Sequence, residues 1–418
     1  MRTTAVCLAQ HIGRGFRFQW HLKNQRRIPS SGAAEVLAAK GIKVYDPKDI
    51  LTPAFNRVVE FPPPPPVTEE ELELNKRPCY VFHEYFSPPG GMTQAQHLTN
   101  SVVHPALPQR IVGRIRDNSE EEDSKIQEVI LQSRLMDSHQ ELLPRIDDVV
   151  NRPGWNFPRE WGSPVGRKNK QMTYKLLLLL DQLSPGSANK HLMANTKSQV
   201  SLEHSGQLIQ MKYKAYALLI ASKPLSPVAE EEEIHATEGE ILPTIYPFSP
   251  FLHLQTTCEI QREQYDCLAT STLYPHTLFI HLNMPRPPHD DDNFCGLTLM
   301  QAFGHAAAYA KSSLKIASGD LETPLTLQVV HTTGRKFHFG VLQLNTLDLT
   351  GPRKNIFWSS PTETLFDVCN FKGAAANLEG YNPKIFSLLR HSMPNKASLV
   401  LSPALVPRAA RQESITLH

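Results

Sequence analysis

The chain contains no apolar run near the roughly 18 residues that a membrane-spanning helix requires. Its longest stretches of that kind, Leu176 to Leu180 and Ala215 to Ala221, are far too short, so no membrane span is expected. It has no Cys-x-x-Cys pair. Its six cysteines, Cys7, Cys79, Cys258, Cys267, Cys295 and Cys369, are scattered over 418 residues. That spacing excludes zinc-ribbon and thioredoxin-type motifs and does not match a secreted disulfide scaffold. A reduced intracellular compartment is the simplest reading. Phosphate-cradling Gly-x-x-x-x-Gly-Lys-Ser/Thr, dinucleotide Gly-x-Gly-x-x-Gly and nucleophile-elbow Gly-x-Ser-x-Gly strings are missing too. No repeat of fixed period is visible.

The start of the chain has no acids. Residues 1–30 carry Arg2, Arg14, Arg17, Lys23, Arg26 and Arg27 and no Asp or Glu. Setting those six aside leaves 37 basic against 41 acidic residues, so the body is slightly acidic although the whole chain is +2. An acid-free, arginine-rich start interleaved with Ile12, Phe16, Phe18, Trp20 and Leu22 resembles a mitochondrial import sequence. The rival is a retained basic arm that binds RNA or a partner. An acidic body limits non-specific RNA affinity, which comes mainly from phosphate neutralisation. Any RNA contact must then be local.

Proline is abundant, at 34 residues against 21 glycines. Phe61 to Pro66 ends in five consecutive prolines and must be extended. It reads as a stiff spacer, with a ligand for an aromatic groove as the sharper alternative. The fold class expected is α+β: mixed helices and antiparallel strands with long, extended, proline-rich N-terminal connections. Helices are expected over Ser31 to Lys40 (capped by Ser30 or Ser31), Gln94 to Ser101, Glu120 to Ser138 behind the N-cap Ser119, from about Lys170 to Leu183, from Glu230, and over Asn293 to Leu314. In the third, Ile126, Val129, Ile130 and Met136 share a face. In the last, Ala302, Gly304, Ala306, Ala307 and Ala308 would allow close packing. Strands are expected over Lys43 to Tyr45, Cys79 to His83, Leu208 to Tyr216 and His276 to Leu282. The strongest hairpin signal is Leu325 to His331 and Lys336 to Leu344 around Thr333-Gly334. One face of that hairpin should pack on the 293–314 helix. The organisation expected is a leader 1–30, a proline-rich arm 31–78, an N-terminal helical and mixed region 79–222, an α+β core 223–365 and a C-terminal extension 366–418.

One segment is basic and aromatic together. From Arg152 to Lys175 six basic residues face one acid, Glu160, with Trp155, Phe157 and Trp161 and three prolines among them. Extended backbone, cations and rings suit phosphates and splayed bases. The RNA-binding candidates are Arg159, Arg167, Lys168, Lys170, Trp155 and Trp161. A solvated loop pinned by its tryptophans is the equal alternative. Chemistry is thin elsewhere. His281, His289, Asp290, Asp291 and Asp292 have metal-ligand residue types, but three adjacent aspartates among prolines read better as a solvated loop. A Cys/His pair drawn from Cys258, Cys267, His276, His331 and His338 lacks any motif. No catalytic residue, metal site, cofactor or small-molecule substrate is expected.

Several strings resemble a known family. They are Cys79-Tyr80-Val81-Phe82-His83, Gln94-Ala95, Leu98-Thr99, Pro224-Leu225, Ile234-His235-Ala236-Thr237 and Tyr246-Pro247-Phe248-Ser249-Pro250. They continue with Tyr274-Pro275-His276-Thr277-Leu278, Ala302-Phe303-Gly304-His305-Ala306, Gly334-Arg335-Lys336-Phe337-His338-Phe339 and Gln343-Leu344-Asn345-Thr346. In order and spacing, over about residues 75–360, the chain resembles the mitochondrial large-ribosomal-subunit protein thirty-seven family. Asn345-Thr346-Leu347 and Pro352-Arg353-Lys354-Asn355-Ile356-Phe357-Trp358 equally resemble the sibling family, mitochondrial ribosomal protein S-thirty, or programmed cell death protein nine. The resemblance implies a non-catalytic component of the mitochondrial large subunit, in the matrix, supporting mitochondrial translation. Its partners would be large-subunit rRNA, the S-thirty sibling and other large-subunit proteins. The competing class is a mitochondrial hydrolase or RNA-processing enzyme with a Cys/His or His/Asp site.

Overall fold

The computed structural model describes residues 32–44, 77–84, 86, 90–112, 116–137, 140–143, 161–183, 190–243, 252, 254–255, 258–260, 264–265, 273–281, 291–372 and 375–391. Residues 1–30, the five prolines, the 246–250 string and the residues after 391 lie outside them. The chain divides into two units, Met1–Pro66 and Val67–His418.

In the first unit, helix α1 (Ala33–Ala39) is shorter at both ends than expected. Its N-cap is Gly32 rather than a serine, with left-handed backbone, and no side chain caps it. Gly41, also at positive φ, ends it as expected. Lys43 and Val44 form no strand.

The second unit runs β1 (Cys79–His83), α2 (Gly91–Thr99), β2 (Ser101–His104), α3 (Gln109–Val112), α4 (Glu120–Arg134), β3 (Glu141–Leu142), β4 (Trp161–Gly162), α5 (Val165–Leu183), β5 (Lys190–Ala194), β6 (Lys197–His204), β7 (Gln207–Lys214), β8 (Ala217–Ala221), α6 (Glu231–Thr237), β9 (Leu254–Gln255), β10 (Gln264–Tyr265), β11 (Tyr274–His281), α7 (Asp291–Ser312), β12 (Asp320–Thr332), β13 (Lys336–Thr346), β14 (Asn355–Ser359), β15 (Glu363–Thr364), β16 (Val368–Lys372), β17 (Ala375–Glu379) and α8 (Lys384–His391). A five-stranded sheet has the order β10-β6-β7-β1-β9. An eight-stranded sheet has the order β2-β14-β13-β12-β11-β8-β5, with β15 against β13. Pairing is antiparallel except for β1 with β7, β11 with β12 and β2 with β14. The class is α+β, and the two sheets each combine early and late strands.

Helix α7 lies between the sheets. It is buried nearly all round, from Phe294 to Ala310, which is why it shows so little amphipathic patterning. Phe303, Ala306 and Met300 share one core with Val200, Ile209 and Met211 of the small sheet and Leu327, Leu342 and Leu344 of the large one. Its small residues permit the approach: a Cβ at Gly304 would stand 2.5 Å from the Tyr213 ring, and one at Gly296 would stand 2.6 Å from the Gly91 backbone. The other face of the large sheet is covered by α4, α5 and α8, where Ile126, Ile130, Met172, Leu176 and Phe386 pack on Phe337 and Phe339.

The hairpin forms as its alternation requires. Leu325 pairs with Leu344, Leu327 with Leu342 and His331 with His338, and this face meets α7. Val330 pairs with Phe339 and Thr332 with Phe337, and that face meets α4, α5 and α8. Several helix limits in this unit differ from expectation: α2 runs from Gly91 to Thr99 rather than from Gln94 to Ser101, and α7 from Asp291 to Ser312 rather than from Asn293 to Leu314. Helix α4 keeps its Ser119 capping box, with Glu122 N donating to Ser119 Oγ at 3.3 Å and Ser119 N to Glu122 Oε2 at 2.9 Å. It stops at Arg134, so Met136 is not on its buried face but 60% exposed. Helix α5 begins at Val165, five residues earlier than its charges suggested.

Candidate nucleic-acid interface

Trp155 and Arg159 lie outside the described residues. The rest of the basic segment is not extended as expected. Its prolines, 153, 158 and 164, all come first. Beyond Pro164 the chain is free to coil, and the Pro164 carbonyl accepts the amides of Arg167 and Lys168 at 3.0 Å each. Met172, Leu176, Leu177 and Leu180 then bury one side of α5 and fix its rotation.

That rotation sorts the candidates. Arg167 pairs with Asp137, Nε to Oδ2 at 2.8 Å, and Ser163 Oγ donates to the same carboxylate at 2.6 Å. This carboxylate ties the chain just past α4 to the residues that lead into α5. Lys168 is half-buried; burial, then the charge of Arg134, lowers its ammonium below the ordinary value. Lys170 and Trp161 are exposed, the indole at 70%. Trp161 therefore does not pin the loop to the core; it stands in the short β3–β4 pairing opposite Leu142.

The tertiary structure adds residues the segment did not contain. Asn169, buried on the first turns of α5, joins two other elements. Its Oδ1 accepts Arg134 Nη1 at 3.1 Å, and its Nδ2 donates to the Thr333 carbonyl at 2.5 Å. The hairpin turn thus docks on the start of α5. Gly334 sits at φ +89°, and a Cβ there would fall 1.9 Å from Asn169 Oδ1, so a side chain would be strained and would displace the Asn169 amide. The next residue, Arg335, donates from Nε to the Phe366 carbonyl at 3.0 Å, with Asp367 3.7 Å away. Arg134 lies over the Phe366 ring at 5.0 Å. Burial, with the Arg335 charge adding to it, holds the Arg134 guanidinium below its ordinary value. Arg134, Lys168 and Arg335 are therefore neighbours that repel one another, beside Arg167 and Lys170. Such a cluster attracts an anion, and phosphates supply that charge. The Gly334-Arg335-Lys336 string held the signal: two cations just past a hairpin glycine. Arg134 gave none, because only folding brings a helix C-terminus to that turn.

The histidines form a different arrangement. Thr298 Oγ lies 2.8 Å from His331 Nδ1 and 2.9 Å from His338 Nδ1, while His338 Nε2 lies 2.9 Å from Ser359 Oγ. Phe294 stacks on His331 at 4.1 Å. Burial holds both rings below the ordinary histidine value, His338 at about 4. A serine beside a histidine has the atoms of a nucleophile and its base. Here both rings are fully buried between α7 and the sheet, where no substrate reaches. Asp291, whose charge acts on His338, has its oxygens taken by Lys336 and Thr362. His276 contacts Thr277, and Cys267 lies outside the described residues. Of the metal-type string, Asp292 accepts the Met92 amide and His281 packs on Tyr216. His289 and Asp290 are outside the described residues. A cavity of about 650 Å³ lies elsewhere, but its cations are engaged, Arg77 by Glu203 and Lys311 by the Ser201 carbonyl.

The comparisons with known proteins find ribosomal relatives. The family described as "Mitochondrial 28S ribosomal protein S30 (PDCD9)" matches residues 298–397, from α7 through the hairpin and beyond. This stretch holds the strings shared with the S-thirty sibling. Over much more of its length the chain is similar to "Large ribosomal subunit protein mL37". The protein of that name from Rattus norvegicus is 26% identical over 373 residues, covering 84% of each chain. That from Bos taurus is 29% identical over 327 residues, covering 75% of this chain and 71% of its own. That from Gallus gallus is 29% identical over 312 residues, covering 71% and 68%. The resemblance to the protein thirty-seven family therefore holds along most of the chain. These relatives are named as ribosomal subunit proteins and not as enzymes.

Proposed function

We propose that this chain is a structural component of the mitochondrial large ribosomal subunit and supports mitochondrial translation from the matrix. Similarity across 84% of both chains to a protein named for that subunit carries the reading. In it, residues 1–30 serve as the import leader and 31–78 as an extended arm. The regions 79–222, 223–365 and 366–418 remain the working division of the rest. The partners are large-subunit rRNA, the S-thirty sibling and other large-subunit proteins. Arg167, Lys168, Lys170, Trp161 and, outside the described residues, Trp155 and Arg159 are the proposed RNA contacts. Arg134 and Arg335 belong with them because they share one patch of positive charge.

Sedimentation of a mitochondrial lysate tests the function. The chain should follow the large-subunit peak through a gradient and leave it when the subunit is dismantled. A chain that stays at the top with free enzymes is not a ribosomal component. Crosslinking tests the patch: RNA adducts should map to residues 161–175 and to Arg335. Crosslinks there to protein alone would assign the patch to a protein neighbour.

A further inference from the structure

Cys79 opens β1 and is fully buried. Its Sγ donates toward Gln210 Oε1 on the neighbouring strand at 3.6 Å. That same oxygen accepts the amides of Glu259 and Ile260 at 2.8 and 3.1 Å. Gln210 Nε2 returns a bond to the Ile260 carbonyl at 3.1 Å and another to Ser201 Oγ at 3.1 Å. One buried side chain thus fastens residues 259–260 beside Cys79. The residue before them is Cys258, whose Sγ donates to the Arg77 carbonyl at 3.2 Å, two residues ahead of Cys79. The segment is held on both sides of Cys258, because Gln255 ahead of it pairs with Cys79 itself, and this brings the two thiols together at the start of β1. They differ in access, since Cys258 is partly exposed and Cys79 is not. Burial, the nearness of Cys258 and the hydrogen bond to it push the Cys79 thiol up to about 11, so it keeps its proton and can share it with its neighbour.

We propose that Cys79 and Cys258 are a redox modification site, which a hydroperoxide converts into a disulfide that staples residues 258–260 to the edge of the five-stranded sheet. The sulfur of Cys258, the accessible one of the two, attacks the outer oxygen of the peroxide and gives up its proton to the departing oxygen. The O–O bond breaks, sulfur is oxidised to a sulfenic acid, and the peroxide leaves reduced as water or an alcohol. Cys79 sulfur then attacks the Cys258 sulfur. The S–S bond forms, the S–O bond breaks, and the hydroxyl leaves as water with the Cys79 proton. The buried partner is the resolving thiol, already in place, so oxidation stops at the disulfide instead of proceeding to sulfinic acid. The pair joins residues 179 apart in sequence, which is why spacing did not reveal it. It rests on geometry independent of the ribosomal reading.

The test treats the purified full-length chain with hydrogen peroxide, alkylates the remaining thiols, and maps peptides without reduction. Alkylatable Cys79 and Cys258 should disappear one for one, with a Cys79–Cys258 linked peptide two hydrogens lighter than the pair. Cys295 and Cys369 should be lost at least about fivefold more slowly. In Cys258→Ser, Cys79 should become inert to peroxide. In Cys79→Ser, Cys258 should stop as a sulfenic acid that dimedone traps. Hydrogen exchange at Glu259 and Ile260 should slow about threefold or more in the oxidised chain. The proposal fails if Cys258 reaches sulfinic acid while Cys79 still alkylates. It fails equally if Cys79 is found linked elsewhere, or if neither thiol reacts under conditions that oxidise glutathione.

Discussion

Two polar clusters meet the same hairpin from opposite sides of its sheet. On the α7 side, His331, Thr298, His338 and Ser359 are enclosed and hydrogen-bonded to one another. On the α5 side, Arg134, Lys168 and Arg335 gather around the turn, with Arg134 repelled by the charge of Arg335 and repelling that of Lys168. The first has the residue types of catalysis and no access. The second has no catalytic type and an open side. A buried polar group must satisfy itself within the protein; charge left at a surface keeps its attraction for something outside. Accessibility, more than residue identity, separates a structural network from a binding patch.

The comparison breaks first through the apolar residues that keep the two sides apart. Phe339→Ala should cost about 3–5 kcal/mol in denaturant unfolding, because its ring is buried against the α4 and α5 layer. A loss under about 1 kcal/mol would mean that the layer is not closed. Acid should act next, and on the enclosed cluster. His338 is neutral when folded at about 4, against an ordinary 6.5 unfolded. The unfolded state therefore takes up the proton first. Stability is complete above about 6.5 and falls as pH drops toward 4, by roughly 3 kcal/mol for this group. His338→Gln should flatten that part of a Tm-against-pH curve; an unchanged curve would deny the ring its buried, neutral state.

At the turn itself, Gly334→Ala should cost about 1–3 kcal/mol, since positive φ and the Asn169 amide both oppose a side chain. Thermal melts would show it, and a neutral result would place the turn away from α5. The smallest effect on stability should come from the open cluster. Lys168→Gln relieves repulsion with Arg134 and should stay within about 0.5 kcal/mol of the parent. The same change should lower the salt dependence of binding to an rRNA fragment by about one counterion. A large stability loss with unchanged binding would reverse the contrast between the two sides.

Much of the local structure was legible. The hairpin followed from alternation around Thr333-Gly334, and the start of α4 from Ser119 and its acids, because turns and caps are settled by neighbouring residues. The small residues of α7 announced close packing without saying against what. The end of α4 was not legible, since Asp137 leaves the helix to bind Arg167 and Ser163, both more than 25 positions away. The start of α5 is not legible, because its first turns carry no apolar stripe: Val165 is exposed and the first buried position is the polar Asn169.

Residue type and short spacing were enough for the absence of catalytic motifs, the acid-free residues 1–30, the amphipathic helices and the family likeness. Only the tertiary structure decided that α7 lies between two sheets, that His331 and His338 are sealed, and that Arg134, Lys168 and Arg335 share one patch. Those outcomes depend on which side of the large sheet each helix covers. Burial, and with it the dielectric around each charge, is a property of that packing and not of any local string.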